Sequence, residues 1–158
     1  MPNWCENRLT IEGPTAELER FREETTGSSE FDFETILPTP PELMTEGRDG
    51  WFDWRTSAAG WGTKWAVDID DFACSENLLE YWFHSAWSPP EGIVRQLGGM
   101  YPLLKFRISY AEGGNGFAGC LQVQGFDVIE NLECDGEEAV AFVKREFGYD
   151  WMGWDEEE

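Results

Sequence analysis

The sequence predicts an α+β domain in which an open β-sheet carries two helices on one face, and three observations lead there. Segments that alternate apolar and polar residues are interleaved with segments of helical spacing. Their order begins β-α-β-β-α-β. Pro, Gly and Asn punctuate the junctions. No repeat or linker divides the 158 residues, so one domain is expected over residues 1–148, with an acidic tail at 149–158.

From residue 4 to 13, Cys5, Leu9 and Ile11 face one side and Trp4, Glu6, Arg8, Thr10 and Glu12 the other, as in a half-buried strand. Pro14 and Thr15 open a helix with Thr15 as N-cap, Leu18 and Phe21 as its apolar face and Gly27 at its end. Residues 30–63 hold Pro38, Pro40 and Pro41 and several tryptophans without a sustained period. They are expected to form a long ordered insertion. Residues 64–70 and 78–87 read as a β-hairpin turning near residues 74–77. Pro89-Pro90 opens a helix carrying Ile93, Val94, Leu97 and Met100, closed by Gly98-Gly99 and Pro102. Leu104, Phe106, Ile108 and Tyr110 then mark another strand.

This is the split-βαβ, ferredoxin-like arrangement, expected to mix antiparallel and parallel neighbours. Residues 117–124 and 126–132 extend the sheet to five or six strands. Asp135, with Glu138 three residues on, caps a final helix whose apolar residues are Val140, Val143 and Phe147; Lys144 and Arg145 complement its dipole and Gly148 stops it.

Composition excludes several functions. Thirty-two acidic residues against eleven basic ones give a net charge of −21, which repels nucleic acid and anionic lipid alike. Basic proteins and cations are the natural partners. With 15% aromatic residues, including nine Trp, the chain has the material of a core and is not read as disordered. Cys5, Cys74, Cys120 and Cys134 form no C-x-x-C pair, so no zinc or redox site is implied, and buried reduced thiols are expected. No signal or spanning segment is visible, and the expected location is the cytoplasm. Asp68-Ile69-Asp70-Asp71 lacks the glycine and distal glutamate of a calcium loop, and Asp71 is expected to point away from Asp68 and Asp70. His84, the sole histidine, has no nucleophile at a recognisable spacing. No enzyme, metal or cofactor is predicted.

Five strings resemble one family: Met1-Pro2-Asn3-Trp4-Cys5 with Asn7 and Leu9; Ile36-Leu37-Pro38-Thr39-Pro40; Trp61-Gly62-Thr63-Lys64-Trp65; Ala86-Trp87-Ser88-Pro89-Pro90; and Tyr110-Ala111-Glu112 with Gly116-Phe117-Ala118-Gly119. Over roughly residues 1–125 their order and spacing are similar to the YubB-like proteins of plasmids and phages. The resemblance implies a mobile-element accessory protein with a ferredoxin-like domain and no iron–sulfur cluster. It brings no reaction with it, because that fold hosts many functions. From Asp127 onward the resemblance ends.

Three places invite function, each with a structural alternative. The sheet face away from the helices should carry Trp4, Glu6, Arg8, Asp68, Asp70, Glu80, Trp82, His84, Lys105 and Arg107. These are ligand contacts, or cross-strand pairs, or residues covered by the insertion. Trp51, Trp54, Trp61, Lys64 and Trp65 can line a pocket for a peptide or cationic group, although packing of the insertion onto the domain accounts for the same residues.

The acids carry the leading expectation. No Lys or Arg falls between Arg107 and Lys144, where Asp127, Glu130, Glu133, Asp135, Glu137 and Glu138 stand, and Asp155, Glu156, Glu157 and Glu158 end the chain. Carboxylates on alternate strand residues repeat at roughly 6.5 to 7 Å, comparable to phosphates along a strand of nucleic acid. The expected function is therefore a non-enzymatic binding protein that docks on a basic host protein, plausibly a nucleic-acid-handling or defence factor, by acidic mimicry. The alternative is a ligand- or peptide-binding domain using the tryptophans, with acidity serving solubility alone.

Overall fold

The computed structural model describes residues 3–44 and 50–151. Its sheet has six strands in the order β2-β3-β1-β4-β5-β6: β1 Trp4–Glu12, β2 Ile69–Ser75, β3 Leu78–Ala86, β4 Lys105–Glu112, β5 Phe117–Gln124 and β6 Asp127–Asp135. The helices are α1 Thr15–Thr25, α2 Phe33–Ile36, α3 Gly50–Thr56, α4 Glu91–Met100 and α5 Gly136–Phe147. Every neighbouring pair is antiparallel. The expected mixture with parallel neighbours is thereby corrected. Each crossover does return a parallel strand, but another strand lies between the two: β3 separates β1 from β2, and β1 separates β3 from β4. That four-stranded unit with α1 and α4 is the predicted ferredoxin-like core, and β5 and β6 extend it.

Alternation along the strands decides where the core sits. Leu9, Ile11, Leu79, Tyr81, Phe83, Phe106, Ile108, Leu121 and Val123 turn to one face and are buried with Leu18 and Phe21 of α1 and Ile93, Val94 and Leu97 of α4. Helix α1 buries only Leu18, Phe21 and Thr25, so the aromatic ring of Phe21 has to do most of its anchoring. It meets Phe31, Tyr81, Tyr101 and Phe106 at centroid distances of 5.4–6.5 Å, a range in which aromatic pairs add roughly 0.5–1.5 kcal/mol beyond burial. Phe31, Phe33 and Trp61 show that the insertion supplies core rather than a detached flap. It holds α2, α3 and a 3-10 turn over Pro41–Met44.

Several local expectations are corrected. Strand β2 begins at Ile69; residues 64–68 lie outside it, with Val67 buried and Trp65 exposed. Thr15 is not a cap. Its hydroxyl donates to the Glu76 carbonyl, tying α1 to the β2–β3 turn. Asp135 makes no side-chain cap bond, being the last paired residue of β6, opposite Phe117. Gly98 and Gly99 lie inside α4 because a Cβ on Gly98 would come within 2.6 Å of the Gly125 carbonyl. Of the thiols, Cys5 and Cys120 are buried, Cys134 is half-buried and Cys74 is exposed.

Two of the conspicuous strings meet in space. The Thr63 hydroxyl donates to the Ala86 carbonyl at 2.7 Å and the Ser88 hydroxyl to the Gly62 carbonyl at 2.6 Å. At the start of α4, the amides of Gly92 and Ile93 donate to the Trp61 carbonyl. This clasp fastens the insertion to the N-terminus of α4, using amides that the helix itself leaves unsatisfied. It holds two costly conformations. Trp87 adopts φ of 71°, worth roughly 1–2 kcal/mol of strain for a residue with a Cβ, and Gly62 adopts φ of 91° with the Glu91 amide 2.8 Å from where a Cβ would stand. We expect Gly62→Ala to destabilise the protein by about 1–3 kcal/mol, read as a lower urea midpoint; an unchanged midpoint contradicts the clasp.

Candidate functional site

The second face of the sheet divides into a covered half and an open half. Helix α5 covers the part over β4, β5 and β6, where Ala139, Phe142 and Val143 pack on Ala111, Ala118 and Cys120 with Trp151 alongside. The insertion was one expected cover for this face; the cover is α5, and the consequence is a half-buried polar hub. Glu146 accepts from the Ser109 hydroxyl at 2.9 Å and from Arg107 Nη2 at 3.2 Å, while its backbone carbonyl takes Arg8 Nη1 at 3.3 Å. Burial pushes the Glu146 carboxyl up, but the Ser109 hydroxyl and the Arg107 guanidinium pull it further the other way, and it settles below the usual carboxylate range. Arg8 and Arg107 are also paired with Glu80 and Glu130, each at 2.6 Å. Sequence reasoning missed Glu146. The signal was available: it lies four residues after Phe142 and three after Val143, on the buried stripe of α5.

Over β1, β3 and β2 the face stays open. Trp4 is 50% exposed and Trp65 38% exposed, their rings 6.3 Å apart. His84 Nδ1 lies 2.7 Å from Asp70 Oδ2. A register shift between Ile69 and Asp71 leaves Asp70 unpaired on the strand and aligns Asp71 with Trp82, overturning the alternation that sent Asp71 away from its neighbours. Such a bulge re-aims a side chain; here it brings the Asp70 carboxylate to the histidine. Trp4, Ala66, Val67, Asp68, Asp70 and His84 surround an open depression of about 500 Å³. Lys105 lies 3.9 Å from Glu12 at the far end of the face.

The tryptophan set is not brought together. Trp61 is fully buried and its Nε1 donates to the Leu37 carbonyl at 2.7 Å; Trp54 packs on the same core. Between Trp51 and Trp61 the cation is internal. Arg55 stands 4.9 Å and 4.2 Å from their ring centres and is held by Glu34 Oε2, Thr39 Oγ1 and the Lys64 carbonyl. Lys64 and Trp65 belong elsewhere, with Lys64 Nζ 4.6 Å above the Trp65 ring, next to Trp4.

The acids share the outer strand and the adjoining helix turn but divide between the strand's faces, Asp127 and Glu130 opposite Gln124 and Gln122, Glu133 and Asp135 opposite Gly119 and Phe117. Asp127, Glu130, Glu133 and Asp135 lie on β6, the outermost strand, and Glu137 and Glu138 on the first turn of α5. All six are exposed. Asp155, Glu156, Glu157 and Glu158 lie outside the described residues. Among the described residues only Glu130 of the six has an ion-pair partner, Arg107, and Glu133 accepts the Tyr110 hydroxyl at 3.1 Å. Glu133 and Glu91, with Phe117, Ser88 and Arg95, line a cavity of about 460 Å³. Burial and the neighbouring Glu133 charge raise the Glu91 carboxyl, against the lowering influence of Arg95. No described helix is long and apolar enough to cross a membrane.

Fold and site together define an extended ferredoxin-like α+β protein with α1 and α4 on one face of its sheet and α5 on the other. The chain belongs to the family described as a ferredoxin-like domain in Api92-like protein, whose model matches residues 60–157. The match begins at Gly60 and runs past Asp127, so it takes in β6 and α5, a stretch in which the sequence alone showed no resemblance. The crystal structure of a protein api92 from Yersinia pseudotuberculosis is similar, with a TM-score of 0.64 and 11% identity over 86% of this chain and 99% of that one. At that identity the likeness is one of fold. No curated protein matches the chain.

The Glu146 hub sets a pH dependence. A carboxyl held below its ordinary value contributes stability that is complete above the unfolded pKa, about 4.3, and is lost as pH falls through the lower folded value. Glu146→Gln should therefore cost about 1 kcal/mol near neutrality, and the difference from the wild type should vanish below that folded value. Parallel urea titrations across pH measure it.

Proposed function

We propose that this protein is a non-enzymatic binding domain that captures a basic protein through the acidic surface of β6 and the start of α5. One observation carries the reading: six carboxylates line an outer strand and the adjoining helix turn, and only Glu130 among them is ion-paired within the described residues. Elsewhere the chain's cations are engaged internally, Arg8, Arg20, Arg55, Arg107 and Lys144 all with acids of their own domain. Among the described residues, Glu130 alone of the β6 carboxylates has such a counterpart. The cavity between Glu91 and Glu133 is large enough for a basic side chain, and desolvation there strengthens its attraction to both acids.

The net charge of −21 suits the groove of a nucleic-acid-handling protein, for which this surface acts as a decoy. The likeness of the conspicuous strings to YubB-like proteins supports a plasmid or phage origin, with a host defence or DNA- or RNA-handling factor in the cytoplasm as the partner. A charged outer edge also guards the sheet against strand-to-strand association, and a salt-sensitive complex distinguishes capture of a partner from that role.

The test is affinity capture from bacterial lysate on immobilised wild-type chain and on a variant with Asp127→Asn, Glu133→Gln, Asp135→Asn, Glu137→Gln and Glu138→Gln. We expect a basic protein retained by the wild type, released by high salt, bound about ten-fold more weakly by the variant, and displaced from the wild type by duplex DNA or RNA. Capture that is indifferent to both salt and the substitutions contradicts the proposal.

A further inference from the structure

A second, independent site lies on the open half of the sheet's other face. Its wall is the Trp4 ring, half exposed where β1 begins. Its floor is Ala66 and the buried Val67, and its rim is Asp68, Asp70 and His84, around a depression of about 500 Å³. Asp70 bonds His84 at 2.7 Å, an ion pair when the imidazole is protonated; Asp68 has no ion pair among the described residues, and Glu6 stands beside His84 in register, its carboxylate taking the Tyr149 hydroxyl. Lys64 is already stacked 4.6 Å from the centre of Trp65 and 5.3 Å from that of Phe52. Lys64 shows which guest this aromatic surface takes, whereas no cation among the described residues stacks on Trp4.

An indole face beside carboxylates, in a chain of net charge −21, selects a cation over an anion or a neutral molecule. The strand bulge and the bond to His84 hold one carboxylate, still half exposed, at the same depression as that indole. We propose that this depression binds an alkylammonium group, with the charge against Trp4 and Asp70 and the alkyl part over Ala66 and Val67. The group is carried by a small amine or by a lysine side chain of a protein.

The experiment titrates the full chain, labelled with 15N, with choline, with its neutral isostere 3,3-dimethylbutan-1-ol and with N-acetyl-lysine methylamide, following the Trp4 and Trp65 indole signals. Choline should shift Trp4 saturably with a dissociation constant on the order of millimolar, and the neutral isostere should not. Asp70→Asn and Trp4→Ala should each weaken binding about ten-fold. The variant with five neutralised acids on β6 and α5 should bind choline like the wild type, which keeps this site separate from the partner surface. Tighter binding of the lysine derivative assigns the site to a protein side chain, and tighter binding of choline assigns it to a small amine. Equal shifts from choline and its isostere, no saturation by either ammonium, or wild-type affinity in both variants overturns the proposal.

Discussion

The structure depends on one constraint: a sheet whose central and C-terminal strands bury apolar residues on both faces needs cover on both. Strand β4 sends Phe106 and Ile108 to α1 and α4 and Ala111 to α5; β5 sends Leu121 and Val123 one way and Ala118 and Cys120 the other. Without α5, the small residues of the second face would meet water and Arg107, Ser109 and Arg8 would lose the end of α5 that organises them. The helix also sets the limit of that cover. It ends at Phe147, Tyr149 reaches only as far as Glu6, and the end of the face that carries Trp4, Asp70 and His84 stays exposed to solvent.

The insertion solves a different problem with the same economy of groups. Arg55, 9% exposed as a residue, sits between Trp51 and Trp61 and is satisfied by Glu34, Thr39 and the Lys64 carbonyl. Next to it the Thr63, Ser88 and Trp61 bonds secure α4. Residues that look like a binding motif in the sequence are thus engaged in holding a long connection to the core. A buried cation and a strained Trp87 are tolerated because the surrounding bonds over-determine them.

Much of this was legible from residue pattern. The strand and helix order followed from alternation and spacing, and Gly148 as the left-handed stop of α5 followed from its place after Lys144 and Arg145. What pattern could not supply was which face α5 takes, since an amphipathic helix at the end of a sheet fits either side. The bulge at Asp70 was equally hidden, because period-two reading presumes an unbroken register. The tryptophans misled for a general reason: composition records that rings are present, and only packing tells whether one lies in the core, as Trp61 does, or at the surface, as Trp4 does. The acids read more faithfully, since a run without bases on an edge strand has nowhere to hide.

Both functional proposals inherit the same geometry. The acidic edge exists because β6 is the last strand, and the ammonium site exists because α5 leaves the other end of the second face uncovered. The most direct test is therefore where α5 lies. Nuclear Overhauser contacts from the Phe142 ring to the Ala118 and Ala111 methyls are what the account predicts. Contacts from Phe142 to Ile108 and Leu121 instead would put the helix on the other side of the sheet and contradict it.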